Sequence, residues 1–217
     1  MKREQIPTII GLIVSIVMPG ILLIDYVYNA IKTLPLFLNG IVPWTLTVIV
    51  ILLIIFWEKR PLSSIGLKRF TWKTIVTVIG FLFAVIIANH LSVIIFVNLG
   101  VPPPNQNIER LINNPVWVRL VLCFQAGITE EILFRAYPIE RILELTKSKF
   151  LAVVTPLVMF ALVHFPGWGP AQMLYVTVSG LVLSIQYIWR RDLIANMMVH
   201  FIVVFLGIIF FPMLNSS

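Results

Sequence analysis

The sequence predicts an all-α, polytopic membrane protein, with one domain of about seven transmembrane helices over residues 1–217. Two observations predict this class. Hydrophobic residues make up 59% of the chain and charged residues only 12%, which is too little charge to cover the surface of a soluble domain. The apolar residues also form long runs of the length that a helix needs to cross a bilayer. They do not alternate with polar residues as in a membrane β-barrel.

Seven apolar runs are the predicted spans, and the fifth is short for a full crossing. The runs are Thr8–Ile24, Leu36–Trp57, Ile75–Leu99, Val116–Phe134, Leu151–Phe165, Met173–Trp189 and Leu193–Phe211. The first follows Lys2 and Arg3 but precedes no small-residue cleavage site, so we expect a retained helix rather than a signal peptide. Three consecutive prolines at 102–104 end the third run.

The basic residues predict the topology. With a cytoplasmic N-terminus, 13 of the 16 lysines and arginines fall in inside loops and 3 in outside loops, and such a bias faces the cytoplasm. The inside set is Lys2, Arg3, Lys59, Arg60, Lys68, Arg69, Lys73, Arg135, Arg141, Lys147, Lys149, Arg190 and Arg191. The outside set is Lys32, Arg110 and Arg119. We therefore expect a cell-membrane protein whose basic loops face anionic lipid headgroups, and no nucleic-acid partner.

The single cysteine, Cys123, lies within the fourth run. One cysteine cannot form a disulfide within the chain or a thiolate cluster for zinc or iron–sulfur. We interpret Cys123 as a packing residue.

Two adjacent glutamates, Glu130 and Glu131, lie in the fourth run. A charge in the hydrocarbon costs at least ~2.5 kcal/mol, so such residues usually face a partner or a cavity. Neighbouring residues of a helix point ~100° apart, whereas residues four apart share a face. We therefore pair Glu131 with Arg135 as an ion pair and leave Glu130 free as a general base. A purely bracing role for both glutamates is the alternative.

Two histidines lie on later spans. His164 ends the fifth run, on the same face as Phe160, and His200 lies in the seventh run, on the same face as Asn196. We expect these histidines to act with the glutamates. The third histidine, His90, is interpreted as a hydrogen-bonded residue of the bundle.

Several known intramembrane chemistries do not fit this inventory. The sequence lacks a His-Glu-x-x-His zinc motif, paired aspartates, a nucleophile elbow and a Walker loop. One free glutamate and two histidines remain, and they activate water in either of two ways. They act as general base and proton relay, without a cofactor, or Glu130, His164 and His200 hold a catalytic zinc.

Three motifs in order resemble the CAAX-protease and bacteriocin-processing family of intramembrane endopeptidases. Glu130-Glu131-Ile-Leu-Phe-Arg135 matches its Glu-Glu-x-x-x-Arg motif, and Phe160-Ala-Leu-Val-His164 matches its Phe-x-x-x-His motif. His200 is similar to the histidine of the third motif, within a motif-bearing core at 116–211. The stretch 60–67 is similar to a cytoplasmic segment of the family.

The resemblance implies an intramembrane catalytic cavity and roles for the motif residues. Glu130 would activate water with the help of His164, Glu131 and Arg135 would support them, and His200 would stabilise the oxyanion. It also implies membrane-associated peptide or protein substrates, and the small chain fits a bacterial member. Metal-independent, glutamate-type hydrolysis is the favoured mechanism.

One position departs from the family pattern. The third motif carries Asn or Asp four residues after its histidine, where this chain has Val204. Asn196 is a candidate to replace that side chain. Val204 also motivates the alternative of a non-catalytic protein of the same fold that acts in bacteriocin self-immunity. A proton-coupled transporter is less favoured, because no inverted repeat is present.

Overall fold

The computed structural model describes residues 5–21, 40–102 and 111–215, and within these ranges all side chains except those of 166–170 and 215. The described residues form helices, turns and loops, and they contain no strand, which confirms the all-α class. The predicted outside residues Lys32 and Arg110 and the residues Lys2 and Arg3 lie outside the described ranges.

The longer helices are labelled α1 to α6 in chain order. Their bounds are Ile6–Ile21 for α1, Ile41–Trp57 for α2, Trp72–Asn98 for α3, 116–146 for α4, Lys149–Arg190 for α5 and 193–215 for α6. A 3₁₀ turn, Leu62–Ile65, lies between α2 and α3. Wider π-helical turns interrupt several helices, at Ile13–Val17, Leu53–Trp57, Ala126–Glu130, Ile132–Ala136 and Leu206–Phe210.

Polar side chains start three of the helices. Thr71 and Thr74 form a reciprocal capping box at the start of α3. The Ser148 hydroxyl accepts a hydrogen bond from the Leu151 N–H, and the Asp192 carboxylate accepts one from the Ala195 N–H. These bonds satisfy backbone donors that the first turn of a helix leaves free, so the sequence itself fixes where α3, α5 and α6 begin.

The 42 residues of α5 form two limbs that pack against each other. A straight helix of that length would extend ~63 Å, about twice the hydrocarbon thickness. Gly180 nevertheless packs against Leu157 and Phe160, since a Cβ at Gly180 would lie 3.0 Å and 3.1 Å from their side chains. The chain therefore reverses between Phe160 and Gly180. The limbs, α5a (Lys149–Phe165) and α5b (Ala171–Arg190), correspond to the fifth and sixth predicted spans.

Three described helices are long and apolar enough to cross a membrane, namely α3, α5b and α6 over Leu193–Leu214. Shorter apolar helices are α1, α2 and α5a. These six overlap six of the seven predicted runs. The remaining run, Val116–Phe134, forms the first part of α4, and it contains three charged residues. The number of charged residues, rather than the length of the run, distinguishes α4 from the helices that are apolar enough to cross a membrane.

Apolar side chains fill three regions of the interior. The largest region joins α1, α2, α4 and α5, and a second joins α3, α5b and α6. The third lies between the start of α4 and the end of α6, and it contains the fully buried Cys123, in agreement with its predicted packing role. The region between α4, α5 and α6 is where the polar motif residues lie.

Ion pairs connect the predicted inside segments at one end of the bundle. Glu58, which follows α2, accepts hydrogen bonds from Arg141 and from the Tyr137 hydroxyl, at 2.9 Å and 2.8 Å. Glu140 binds Arg191, and its hydrogen bonds raise the pKa of that guanidinium. The Leu193 N–H donates to the Gly66 carbonyl across 2.9 Å. The loops that were predicted to share one membrane side therefore meet in space.

Several basic residues lie in helices rather than in their predicted loops, and three of them are buried within α4. One of the three is Arg141, which pairs with Glu58 as described above; the other two are Arg135 and Arg119. Arg135 lies within α4 and is only 1% exposed. Arg119 also lies within α4, where its guanidinium donates to the Ile208 carbonyl across 3.0 Å. The charge of Arg135 is balanced by Glu131 on the same helix, and Arg119 donates its hydrogen bond to a carbonyl of α6. These partners allow both side chains to be buried, so neither faces the membrane surface.

Candidate active site

The Glu131 carboxylate is the centre of the polar cluster between α4, α5 and α6. Its side chain is fully buried, and three side chains contact it. Arg135 Nη1 lies 3.2 Å and His200 Nδ1 lies 2.7 Å from Oε1, and Asn196 Nδ2 donates to Oε2 across 2.7 Å. The ion pair predicted from the i, i+4 spacing is therefore confirmed. A buried charge with this set of partners is compensated on both oxygens.

Glu130 points away from its neighbour, as the helix geometry predicts. Its side chain is 23% exposed, whereas that of Glu131 is 0% exposed. Glu130 is the last residue of one π-helical turn, and the next turn begins at Ile132. The pair therefore lies where two stretches of widened helix meet. Such turns occur often at functional sites, because they shift side chains from their regular positions. Glu130 is thus the accessible carboxylate of the two.

The ion-pair contact of Glu130 within the described structure is with His200, not with His164. The distance from His200 Nε2 to Glu130 Oε2 is 3.9 Å. Within the described residues, no ion pair connects Glu130 to His164. Because Nδ1 of His200 binds a carboxylate, which only accepts, this nitrogen carries a proton and Nε2 faces Glu130. His200 therefore bridges the two glutamates across α6 and α4.

His164 is oriented by its own helix. Its Nδ1 donates to the Phe160 carbonyl across 2.8 Å, and the two rings meet edge to face with centroids 4.5 Å apart. A carbonyl is only an acceptor, so Nδ1 holds the proton and Nε2 of the neutral ring is left as the acceptor. The predicted common face of Phe160 and His164 is confirmed. This tautomer is the one that can take a proton at Nε2.

Arg135 connects α4 to both limbs of α5. Its guanidinium carbon lies 3.9 Å above the centre of the Phe160 ring, a cation–π contact. A Cβ at Gly180 would come within 2.9 Å of Arg135 Nη2, so only a glycine gives the guanidinium this space. Phe160 thus positions His164 through its carbonyl and Arg135 through its ring.

The comparison with known families agrees with this arrangement. Residues 112–206 match the family described as type II CAAX prenyl endopeptidase Rce1-like. The matched range includes all the residues of the polar cluster described above. This part of the chain is similar to the Rce1-like family. No significant match to a curated protein or to a solved structure accompanies it.

The Rce1-like family supports CAAX-type intramembrane protease activity for this protein, and the family and the apolar helices together indicate a membrane protein. The resemblance predicted from the three motifs is confirmed. The stretch 60–67, which was also compared with the family, lies outside the matched range. It packs at the ion-paired end of the bundle, where Arg60 contacts Glu144 at 2.7 Å.

Asn196, the candidate to replace the side chain missing at Val204, bonds to two groups on other helices. Its amide nitrogen donates to Glu131 and to the Leu183 carbonyl, at 2.7 Å and 3.0 Å, so both protons are used. Val204 packs in the apolar region around Cys123. The role of Asn196 as a replacement for that side chain stays a prediction, but both of its amide protons are already bonded in the described structure. Asn196 holds Glu131 in place.

The residues proposed for zinc do not form a metal site in the described structure. Among the described residues, no group of three or more histidine, cysteine, aspartate or glutamate side chains lies close enough together to hold a metal ion. In His164 and in His200, Nδ1 makes a hydrogen bond, so Nε2 is the ring nitrogen that remains to bind a metal ion or a proton. The three predicted ligands thus do not converge on one point.

The sequence did not identify two features of the candidate site. A Cβ at Gly127 would lie 3.0 Å from the Met197 carbonyl and 3.1 Å from Phe201 Cβ, so α4 and α6 cross closely just before the glutamates. The Leu183 carbonyl on α5b accepts from Asn196. The available signal for the first was a glycine one turn before a polar pair. The interpretation of His90 as a hydrogen-bonded residue of the bundle fits its neighbour better. His90 is exposed, whereas the Asn89 side-chain oxygen accepts a hydrogen bond from the Ser179 hydroxyl on α5b across 2.7 Å.

Proposed function

We propose that this protein is an intramembrane endopeptidase that hydrolyses peptide bonds of membrane-associated peptides or proteins, with Glu130 as the base that activates water. The observation that carries the proposal is the separation of the two glutamates. Glu131 is buried with three partners, whereas Glu130 is partly exposed and faces the Nε2 atom of His200. A carboxylate that lies near other polar groups but forms no close ion pair can still accept a proton, as a general base must.

In the proposed reaction, water attacks the carbonyl carbon of the peptide bond while Glu130 takes a proton from it. His164, whose Nε2 is an acceptor, contacts the same water from α5a. The proposal needs no direct bond between Glu130 and His164, because the water lies between them. The tetrahedral intermediate then collapses as Glu130 returns the proton to the leaving nitrogen, and the C–N bond breaks.

His200 is the proposed oxyanion donor. When its ring is doubly protonated, Nδ1–H remains on Glu131 and Nε2–H is available to the negative oxygen of the intermediate. Glu131, Arg135, Asn196 and Phe160 act as positioning residues. Glu131 and the Phe160 carbonyl hold the rings of His200 and His164 by hydrogen bonds, and Arg135 and Asn196 in turn hold Glu131.

Cleavage by the reconstituted protein tests this proposal. Wild type in lipid vesicles is expected to cleave a membrane-associated peptide, including a prenylated CAAX peptide, and Glu130→Gln and His164→Ala are each expected to reduce the rate by at least ~10². Glu144→Gln, which removes an exposed ion pair at the end of the bundle, is the matched control and should keep its activity. Equal cleavage by wild type and Glu130→Gln would refute the assignment of the base.

Metal removal separates the glutamate mechanism from the zinc alternative. We expect cleavage to be unchanged after treatment with a strong chelator and dialysis, because the proposed chemistry uses only side chains of the chain. Loss of activity on chelation and its return with added Zn²⁺ would favour the metal mechanism instead.

The second candidate is a membrane protein of the same fold that gives bacteriocin immunity without catalysis. The observation that favours it is Val204, which packs among apolar residues at the position where the family pattern carries a hydrogen-bonding side chain. Protection of cells by Glu130→Ala at the wild-type level would support this candidate. Loss of protection in that variant, with normal protein levels, would support catalysis.

A further inference from the structure

An open groove of about 630 Å³ lies between the first half of α3 and the end of α5b. It is separate from the candidate active site, since none of its lining residues contacts Glu130 or Glu131. Trp72 and Lys73 from α3 and Trp189 and Arg190 from α5b form its mouth. This volume is within the ~300–1,000 Å³ of sites that hold a single small ligand.

The mouth of the groove is positively charged. In the described part of the chain, neither Lys73 nor Arg190 forms an ion pair, and no acidic residue lines the groove. The nearest carboxylate along the chain, Asp192, is already bonded to Thr74 and to the Ala195 N–H. The two cations therefore remain available to an anion.

Tryptophans stand beside both cations. The Arg190 guanidinium lies 5.1 Å from the centre of the Trp189 ring, and Lys73 Nζ lies 5.9 Å from that of Trp72. Tryptophan next to a basic residue is typical of the level where headgroups meet hydrocarbon. The mouth thus has the composition of a membrane interface.

The rest of the groove is apolar except for Thr77, whose hydroxyl donates to the Lys73 carbonyl of its own helix. Val76, Gly80 and Ala84 are spaced four apart, so they share one face of α3. A Cβ at Gly80 would meet nothing within 4 Å, which gives the groove its depth. Phe81 and Trp189, with ring centroids 5.8 Å apart, connect the two helices. An apolar channel that opens at a positively charged end matches an anionic amphiphile.

We propose that this groove binds an anionic phospholipid, with the phosphate at Lys73 and Arg190 and one acyl chain along Val76, Gly80 and Ala84. Charge complementarity selects this occupant over a neutral lipid, because two unpaired cations lie at the mouth and each adds to the attraction for an anionic headgroup. The order of charged mouth, tryptophans and apolar channel is the order of headgroup, interface and acyl chain in a bilayer leaflet.

Lipid selectivity of the purified full-length chain tests the headgroup half of the proposal. Native mass spectrometry from detergent is expected to show phosphatidylglycerol bound on the order of tenfold more tightly than phosphatidylcholine with the same acyl chains. The double variant Lys73→Gln, Arg190→Gln should lose this preference. The control, Lys147→Asn with Lys149→Gln, removes the same charge at exposed positions elsewhere and should retain it. An unchanged preference in the groove variant would overturn the proposal.

Two further measurements test the acyl-chain half. Gly80→Trp fills the channel without meeting a neighbour at Cβ, and it should weaken phosphatidylglycerol binding several-fold while both cations remain. Wild-type binding by this variant would overturn the proposed channel. Glycerol phosphate, which has the headgroup anion but no chain, should not displace the lipid. Its displacement of the lipid at equal concentration would show a free phosphate site instead.

Discussion

At the scale of single residues, the two adjacent glutamates have opposite surroundings. The Glu131 oxygens are occupied by an arginine, a histidine and an amide, and its side chain is out of contact with solvent. Glu130 is accessible, and its ion-pair contact within the described part of the chain is the 3.9 Å approach of His200. The difference follows from the helix, which turns neighbouring side chains to different faces. One carboxylate therefore supports the site and the other is available for proton transfer.

The buried ion pair between Glu131 and Arg135 gives a prediction about stability. Arg135→Leu should destabilise the protein by ~3–5 kcal/mol, because it leaves the Glu131 charge buried with one partner fewer. The double variant Arg135→Leu, Glu131→Gln should cost less than the sum of the two single changes. Thermal unfolding in detergent measures all three. Additive losses would contradict the coupling of the two charges.

Val204 gives a prediction about activity, which depends on the proposed function. Val204→Asn places a donor one turn beyond His200 and should raise kcat/KM by ~10-fold or more, since one oxyanion donor is worth ~10² or more in known cases. It should also lower stability by ~1–2 kcal/mol, because the side chain enters an apolar region. Val203→Asn, in a different apolar region, is the control. An equal gain in the control would refute the role of position 204.

The sequence predicted those contacts that lie within one helix. The Glu131–Arg135 pair and the common face of Phe160 and His164 depend on i, i+4 spacing alone. It did not predict that His200 and Asn196 both bind Glu131, because their distance from it depends on how α6 crosses α4. For the same reason the sequence could not show that both amide protons of Asn196 are bonded to groups on other helices.

At the scale of helices, close crossings set the geometry of the site. Gly127 brings α4 against the Met197–Phe201 stretch of α6, and Gly180 brings α5b against α5a and Arg135. Small residues at crossings allow the backbones of membrane helices to approach. Hydropathy located α5a and α5b as separate spans. It could not show that they pack together, because apolar composition carries no information on which helices are neighbours.

Gly180 gives a prediction at this scale. Gly180→Ala should destabilise the protein by ~1–3 kcal/mol, because the new methyl group would lie within 3.1 Å of three side chains in a filled interior. Gly80→Ala is the matched control. Its Cβ meets nothing, so it should be neutral or slightly stabilising through the better helix propensity of alanine. Thermal unfolding of both variants checks this, and equal effects would contradict it.

At the scale of the whole molecule, the chain gathers its charged links at one end. The segment after α2, the end of α4 and the link between α5 and α6 are joined by Glu58–Arg141, Arg60–Glu144 and Glu140–Arg191. Thr8, near the start of α1, contacts Glu58 at 3.3 Å. This common end agrees with the sides predicted from the basic residues, which are expected to face the cytoplasm.

Cysteine labelling in intact cells tests the predicted orientation. Lys68→Cys and Lys147→Cys should be inaccessible to a membrane-impermeant maleimide until the cells are opened, whereas Leu99→Cys, at the other end of α3, should react from outside. The native Cys123 is fully buried and should remain silent in each variant. Labelling of Lys68→Cys in intact cells would reverse the predicted topology.

The sharing of Glu131 among helices also constrains how the protein is made. Among the described side chains that contact it, Asn196 and His200 belong to α6. Before α6 is synthesised, α4 enters the bilayer with only the Arg135 partner, among the described ones, for that carboxylate. The arrival of α6 therefore completes the neutralisation of a charge already inserted, and chains truncated before Leu193 should be poor at retaining α4 in the membrane.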